Sequence, residues 1–93
     1  MEIDSQKITN LENMIDNLIH GAACDIIRGK YYSADEHLQI AINYAFVLQK
    51  LGIRDYAKEE NMNLVQLAII IKINRKVDEL QKDKNFMKQL MGE

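Results

Sequence analysis

Two histidines, one cysteine and a neighbouring aspartate are the side chains here with the widest chemical range. His20 and Cys24 are four residues apart, Asp25 follows, and His37 lies further along the chain. Positions i and i+4 of a helix share a face, so these groups could in principle coordinate zinc. The sequence contains no CxxC or HExxH pattern, and the position of His37 depends on how two helices pair. We therefore predict no metal site, and interpret these residues as a buried thiol and boundary histidines.

The remaining polar residues do not form a recognisable catalytic set. Ser5 and Ser33 are the only serines, and Ser33 is better explained as a helix cap. Solitary glycines at 29 and 52 do not build a phosphate-binding loop. Adjacent carboxylates diverge around a helix instead of converging on a substrate, and they occur as Asp35/Glu36, Glu59/Glu60 and Asp78/Glu79. The sequence predicts no enzyme activity and no cofactor.

Composition favours one small all-α domain over residues 1–93. The 93 residues include no proline, no tryptophan and only four glycines, which leaves few positions for turns. A single cysteine excludes an intramolecular disulfide and favours a reducing, cytoplasmic location. The first residues lack the features of a signal peptide. The longest apolar run, Leu67–Ile71, is far too short to span a bilayer.

Hydrophobic spacing and helix-end signals predict a three- or four-helix bundle with a long C-terminal helix. We expect helices at about 5–28, 33–51 and 64–91. Glycines at 29 and 52 should end the first two, with Ile53 touching Leu48 in a Schellman motif. Ser33-Ala34-Asp35-Glu36 has the pattern of a capping box. Gly21 weakens the first helix, but we expect the helix to continue there and a neighbour to approach closely.

The segment between the second and third helices is ambiguous from sequence. Residues 54–62 could form a short helix of their own, with Asn63 capping the long one. Alternatively, one helix could run from Asp55 to Leu90. Both arrangements are compatible with an all-α bundle.

The C-terminal stretch is the strongest pattern in the chain. It begins with LVQLAIIIKI, apolar on nearly every side, and narrows to a seam whose steps alternate three and four, as in a coiled coil. The seam consists of Ile70, Ile73, Val77, Leu80, Lys84, Met87 and Met91. A 28-residue helix would be roughly 42 Å long, more than the first two helices can cover. We therefore predict a partner-binding surface, formed by Val77, Leu80, Lys84, Met87 and Met91.

The hairpin around Gly29 resembles the turn of a tetratricopeptide repeat. The resemblance rests on Gly29-Lys30-Tyr31-Tyr32-Ser33-Ala34, followed by Leu38 and Ala41, with Ala22 as the small residue of the first helix. The three-helix MIT domain is similar and would cover roughly residues 8–82, with Ile71 to Leu80 resembling the end of its third helix. This resemblance implies a helical hairpin plus a third helix, and binding of short peptide segments in grooves between helices.

These features together predict a small protein–protein interaction module. We expect a homo-oligomer or a helical adaptor, regulator or inhibitor, from a compact bacterial or phage genome. Residues 72–88 carry a net charge of +3 although the whole chain carries −2, so the alternative is a nucleic-acid-binding regulator that uses the basic C-terminal helix. A small-ligand or nucleotide binder at an oligomer interface is a third hypothesis.

Overall fold

The computed structural model describes residues 5–57, 61–90 and 92, and within these it contains helices and no strands. In chain order the helices are α1 Ser5–Ile27, α2 Tyr31–Lys50, α3 Met62–Lys82 and α4 Lys84–Leu90. The predicted all-α bundle is confirmed. None of the helices in the described ranges is long and apolar enough to cross a lipid bilayer.

The turn between α1 and α2 is a Schellman motif at Gly29. Gly29 has a φ of +78°, its N–H donates to the carbonyl of Ile26, and the N–H of Lys30 donates to the carbonyl of Asp25. Glycine adopts this left-handed conformation without a Cβ penalty. The predicted helix end at Gly29 is confirmed, and only Gly29 and its two neighbours separate α1 from α2.

The start of α2 differs from the capping-box prediction. The helix begins at Tyr31, and Lys30 occupies the N-cap position without a side-chain hydrogen bond. Because the Schellman motif reverses the chain at Gly29, helical geometry resumes two residues earlier than Ser33. Ser33 therefore lies inside the first turn, and its hydroxyl donates to Asp25 on α1 at 2.7 Å. The capping box was the wrong interpretation of this serine.

The end of α2 agrees with the prediction and leads into an irregular segment. The N–H of Ile53 donates to the carbonyl of Leu48, and Gly52 has a φ of +72°. The buried Gln49 side chain holds this segment in place: its Oε1 accepts the N–H groups of Tyr56 and Ala57, and its Nε2 donates to the Ala57 carbonyl. Residues 54–57 are not helical. Both predicted alternatives, a short helix over 54–62 and a continuous helix from Asp55, are therefore wrong for these residues. Residues 58–60 lie outside the described residues.

The predicted long C-terminal helix is divided into two helices. Asn61, not Asn63, is the N-cap of α3, because the Asn61 side chain accepts the N–H of Asn63 at 2.8 Å. At the other end Asp83 has extended backbone geometry (φ −88°, ψ 101°). Its Oδ1 accepts the N–H of Phe86 at 3.0 Å and thereby caps α4. An aspartate that satisfies first-turn amides competes with helix continuation, which the heptad pattern alone does not reveal.

The core lies where α1, α2 and α3 meet. Its buried members are aliphatic or alanine, and the alanines of α1 and α2 permit close helix approach. They are Ile15, Ile19, Ala22, Ala41, Ile42, Ala45, Leu48, Val65, Ile69 and Ile73. α4 contributes no buried residue. It lies against the C-terminal half of α1, where the rings of His20 and Phe86 meet edge-on at 5.8 Å and Arg28 donates to the Leu90 carbonyl at 3.1 Å.

Candidate interaction surfaces

Asp25, Ser33 and His37 form a polar cluster between α1 and α2. The Ser33 hydroxyl and His37 Nδ1 lie 2.7 and 2.9 Å from the same atom, Asp25 Oδ2. The carboxylate is the acceptor, so Nδ1 carries the donated proton. In a nucleophilic triad the imidazole stands between the hydroxyl and the carboxylate, whereas here both groups donate to the carboxylate. This geometry fastens two helices and does not activate the serine.

Of the four groups considered as zinc ligands, Asp25 and His37 are in contact with each other, but the four do not converge on one point. His37 packs over Gly21, with its ring about 3.7 Å from where a Cβ would be, and pairs with Asp25, while His20 faces Phe86. Burial raises the pKa of the Cys24 thiol; the Asp25 charge raises it further, and Arg28 and Lys76 oppose the shift. Within the described part of the chain, no group of three or more His, Cys, Asp or Glu residues could hold a metal ion.

The predicted partner-binding residues have divergent environments. Leu80 is buried in its own chain at 8% exposure, and Val77 packs against the core. Beyond the break at Asp83, Lys84 is exposed and Met87 is half-buried; Met91 lies outside the described residues. α3 and α4 change direction at Asp83, so the seam is not one continuous surface. Its role in partner binding stays a prediction.

A different apolar surface lies on the outer side of α3. Leu64, Leu67 and Ile71 are 39%, 52% and 42% exposed, and their steps of three and four residues place them on one helix face. We call these three residues the α3 stripe. Val65, Ile69 and Ile73 form the buried face of the same helix. The run is apolar on nearly every side in the sequence, and its two interleaved sets of residues could have indicated one buried and one exposed face.

A second exposed apolar row lies on α2 and on Leu51, the residue that caps its C-terminus. Ile40, Val47 and Leu51 are each more than two-fifths exposed, and their spacing of seven and four places them on one side of the helix. Scattered apolar side chains are normal on protein surfaces, but rows at helical spacing are typical of surfaces that pack against another helix.

The described residues also form concave surfaces. An apolar groove of about 220 Å³ between the three long helices is lined by Ala22, Ile26, Ala34 and Ile73, with Asp35 and Asn74 among its polar residues. It is smaller than a typical small-molecule pocket. A polar concavity of about 360 Å³ between α1 and α3 is lined by Asp16, Ile19, Lys72, Arg75, Lys76 and Glu79.

Comparisons of the chain with known protein families, curated proteins and solved structures gave no match. The resemblance of the Gly29 hairpin to tetratricopeptide and MIT domains therefore stays a prediction.

Proposed function

We propose that this chain is a small helical protein–protein interaction module that associates with itself and acts on other proteins as an adaptor, regulator or inhibitor. The single observation that carries the proposal is the α3 stripe of Leu64, Leu67 and Ile71. Apolar side chains arranged at heptad spacing on the outside of a helix gain free energy when a second helix covers them.

The size of the stripe defines its role in an interface. Fully burying a leucine or isoleucine side chain contributes about 1.5–3 kcal/mol, and these three are already half-covered by their own chain. A specific interface of ordinary size buries about 800 Å² on each partner. The stripe is therefore suited to be the apolar centre of a larger contact, surrounded by the polar rim that such contacts have.

Light scattering over a concentration series tests the proposal. We expect the wild-type mass to rise towards twice the 10.8 kDa chain mass as concentration increases, and Leu67→Glu to remain at the chain mass. Gln39→Glu is the matched control, because it adds the same charge at an exposed position of α2, away from the stripe and from the α3–α4 connection. A wild-type protein that stays monomeric at about 100 µM, well above micromolar affinities, would contradict self-association.

Nucleic-acid binding is the second candidate, favoured by one observation. Lys72, Arg75 and Lys76 line the same polar concavity, so three cations are available to one phosphate strand. Asp16 and Glu79 line it as well, and Glu79 is 3.8 Å from the Lys76 ammonium, which lowers the positive potential.

Fluorescence anisotropy with a labelled single strand and a labelled duplex tests this alternative. Affinity that falls steeply between about 50 and 200 mM salt, and is lost in Arg75→Gln, would support it. An absence of binding at the lowest salt concentration would eliminate it.

A further inference from the structure

The connection between α3 and α4 is a single residue. α3 ends at Lys82 and α4 begins at Lys84, so Asp83 alone carries the change of direction. The five residues from 81 to 85 include neither glycine nor proline. The break therefore depends on local hydrogen bonding: Asp83 donates its N–H to the Leu80 carbonyl and accepts the Phe86 N–H through its side chain.

The packing of α4 on its own chain is sparse. It has no buried residue, and its contacts with α1 include the Phe86 ring against His20 and the Leu90 carbonyl at Arg28. Arg28 is exposed. These contacts require an α1 surface and an α4 helix, but nothing in them requires that both belong to the same chain.

The sequence of the hinge is compatible with a straight helix. If Asp83 adopted helical geometry, residues 62–90 would form one helix about 43 Å long. Val77, Leu80, Lys84 and Met87 would then succeed one another at the steps of three and four that the heptad pattern requires. A straight helix removes α4 from its own α1, and a very short hinge of this kind is the arrangement in which helix exchange between copies occurs.

We propose that two copies of this chain exchange their α4 helices. In the exchanged dimer α3 and α4 are continuous, and α4 of each copy lies against the His20–Arg28 side of α1 in the other. The α4 contacts of the single chain are made again between chains, and the continuous seam joins the two copies. The proposal rests on the self-association proposed above, and it names the element that passes between the copies.

Photocrosslinking in mixed-isotope samples tests the exchange directly. p-Benzoylphenylalanine in place of Phe86 keeps an aromatic ring next to His20. Unlabelled and ¹⁵N-labelled protein are mixed in urea, refolded together, irradiated and digested, and the crosslink between the residue 86 and residue 20 peptides is analysed by mass spectrometry. The same photoreactive residue in place of Phe46, on α2, is the control for random encounters.

Each outcome of this experiment is decisive. Crosslinks that join a light to a heavy peptide, in a fraction that rises with protein concentration, are the expected result. A dimer mass by light scattering with only light–light and heavy–heavy crosslinks would overturn exchange and leave self-association intact. A chain mass at all concentrations would overturn both proposals.

Two hinge variants provide a second measurement. Asp83→Ala removes the cap of α4 and favours helical geometry at residue 83. Because two hinges straighten in each dimer, the effect counts twice. We therefore expect the dimer dissociation constant to fall by about an order of magnitude. Insertion of Gly-Ser-Gly between Asp83 and Lys84 lets α4 fold back freely, and should weaken the dimer at least as strongly. Equal dissociation constants for both variants and the wild type would contradict exchange.

Discussion

The α1–α2 hairpin and the α3–α4 segment reverse the chain by different means. At Gly29 a left-handed glycine, two backbone hydrogen bonds and the Asp25–Ser33–His37 cluster all favour the same turn. At Asp83 one side-chain cap opposes a sequence that is otherwise compatible with a straight helix. Several independent interactions therefore stabilise the α1–α2 turn. The turn between α3 and α4, by contrast, depends on a small free-energy difference between a capped helix break and a continuous helix.

The α1–α2 hairpin and α4 also differ in how much free energy their contacts contribute to the stability of the fold. The hairpin helices contribute fully buried side chains such as Ile15 and Leu48 to the core, each of which stabilises the fold by about 1.5–3 kcal/mol. α4 accepts one exposed hydrogen bond, from the Arg28 guanidinium to its Leu90 carbonyl, with a net contribution of about 0.5–1.5 kcal/mol. It also makes one edge-on aromatic contact of similar size. We therefore expect that a single substitution can displace α4 while the three-helix core stays folded.

The largest contrast is expected for leucine truncation in the two regions. Leu48→Ala empties a fully buried position on α2 and should lower the free energy of unfolding by about 2–5 kcal/mol. Leu90→Ala on α4 removes a half-buried side chain and should cost less than about 1 kcal/mol. Urea denaturation of both variants provides the comparison. Similar costs would show that α4 is part of the cooperative core.

The next contrast concerns two glycines with the same backbone conformation. Gly29 and Gly92 have φ angles of +78° and +76°, which strain a β-branched residue. Gly29→Val should cost about 1–2 kcal/mol, since the hairpin cannot relax around it. Gly92→Val is the control and should be nearly neutral, because it comes after a helix without buried residues. An unchanged urea midpoint for Gly29→Val would contradict the importance of this turn.

The helix ends at Gly29 and Gly52 were predictable because their signals are local. A glycine at the end of an apolar helical pattern specifies a left-handed helix end without reference to the rest of the chain. The role of Ser33 was not predictable in this way, since its hydroxyl has two possible partners and the choice depends on where Asp25 lies in the folded hairpin. The break at Asp83 was missed for a related reason: the heptad pattern describes side-chain faces and is insensitive to one capping aspartate.

The exposed surfaces show the same limit of sequence analysis. The run from Leu64 to Ile73 was correctly identified as apolar on several faces, but the sequence does not state how many neighbours will cover them. Three long helices cover only the side with Val65, Ile69 and Ile73. The α3 stripe therefore results from the number of helices in the bundle, which is a property of the whole fold.

Ser33 offers a smaller effect that distinguishes a helix cap from a contact between helices. Ser33→Ala should lower stability by about 1 kcal/mol through loss of its hydrogen bond to the Asp25 carboxylate. If Ser33 were a helix cap, the cost of Ser33→Ala would not depend on Asp25. The hydrogen bond between the two side chains, by contrast, requires the Asp25 carboxylate. In an Asp25→Asn background we therefore expect the cost of Ser33→Ala to fall by about half or more, as measured by a double-mutant cycle in urea. An undiminished cost would restore the capping interpretation.

The smallest expected effect has the opposite sign and lies within α1. Gly21 is a helical glycine, and a Cβ added there would meet the His37 ring at 3.7 Å, an ordinary van der Waals distance. Gly21→Ala should therefore stabilise the protein by about 0.5–1 kcal/mol, the propensity difference between the two residues. Gly29→Ala is the matched control: the same added methyl group at a φ of +78° should destabilise. If Gly21→Ala also destabilised the protein, then His37 would require the full space above Gly21, and the contact between α1 and α2 would be tighter at this point than its distances indicate.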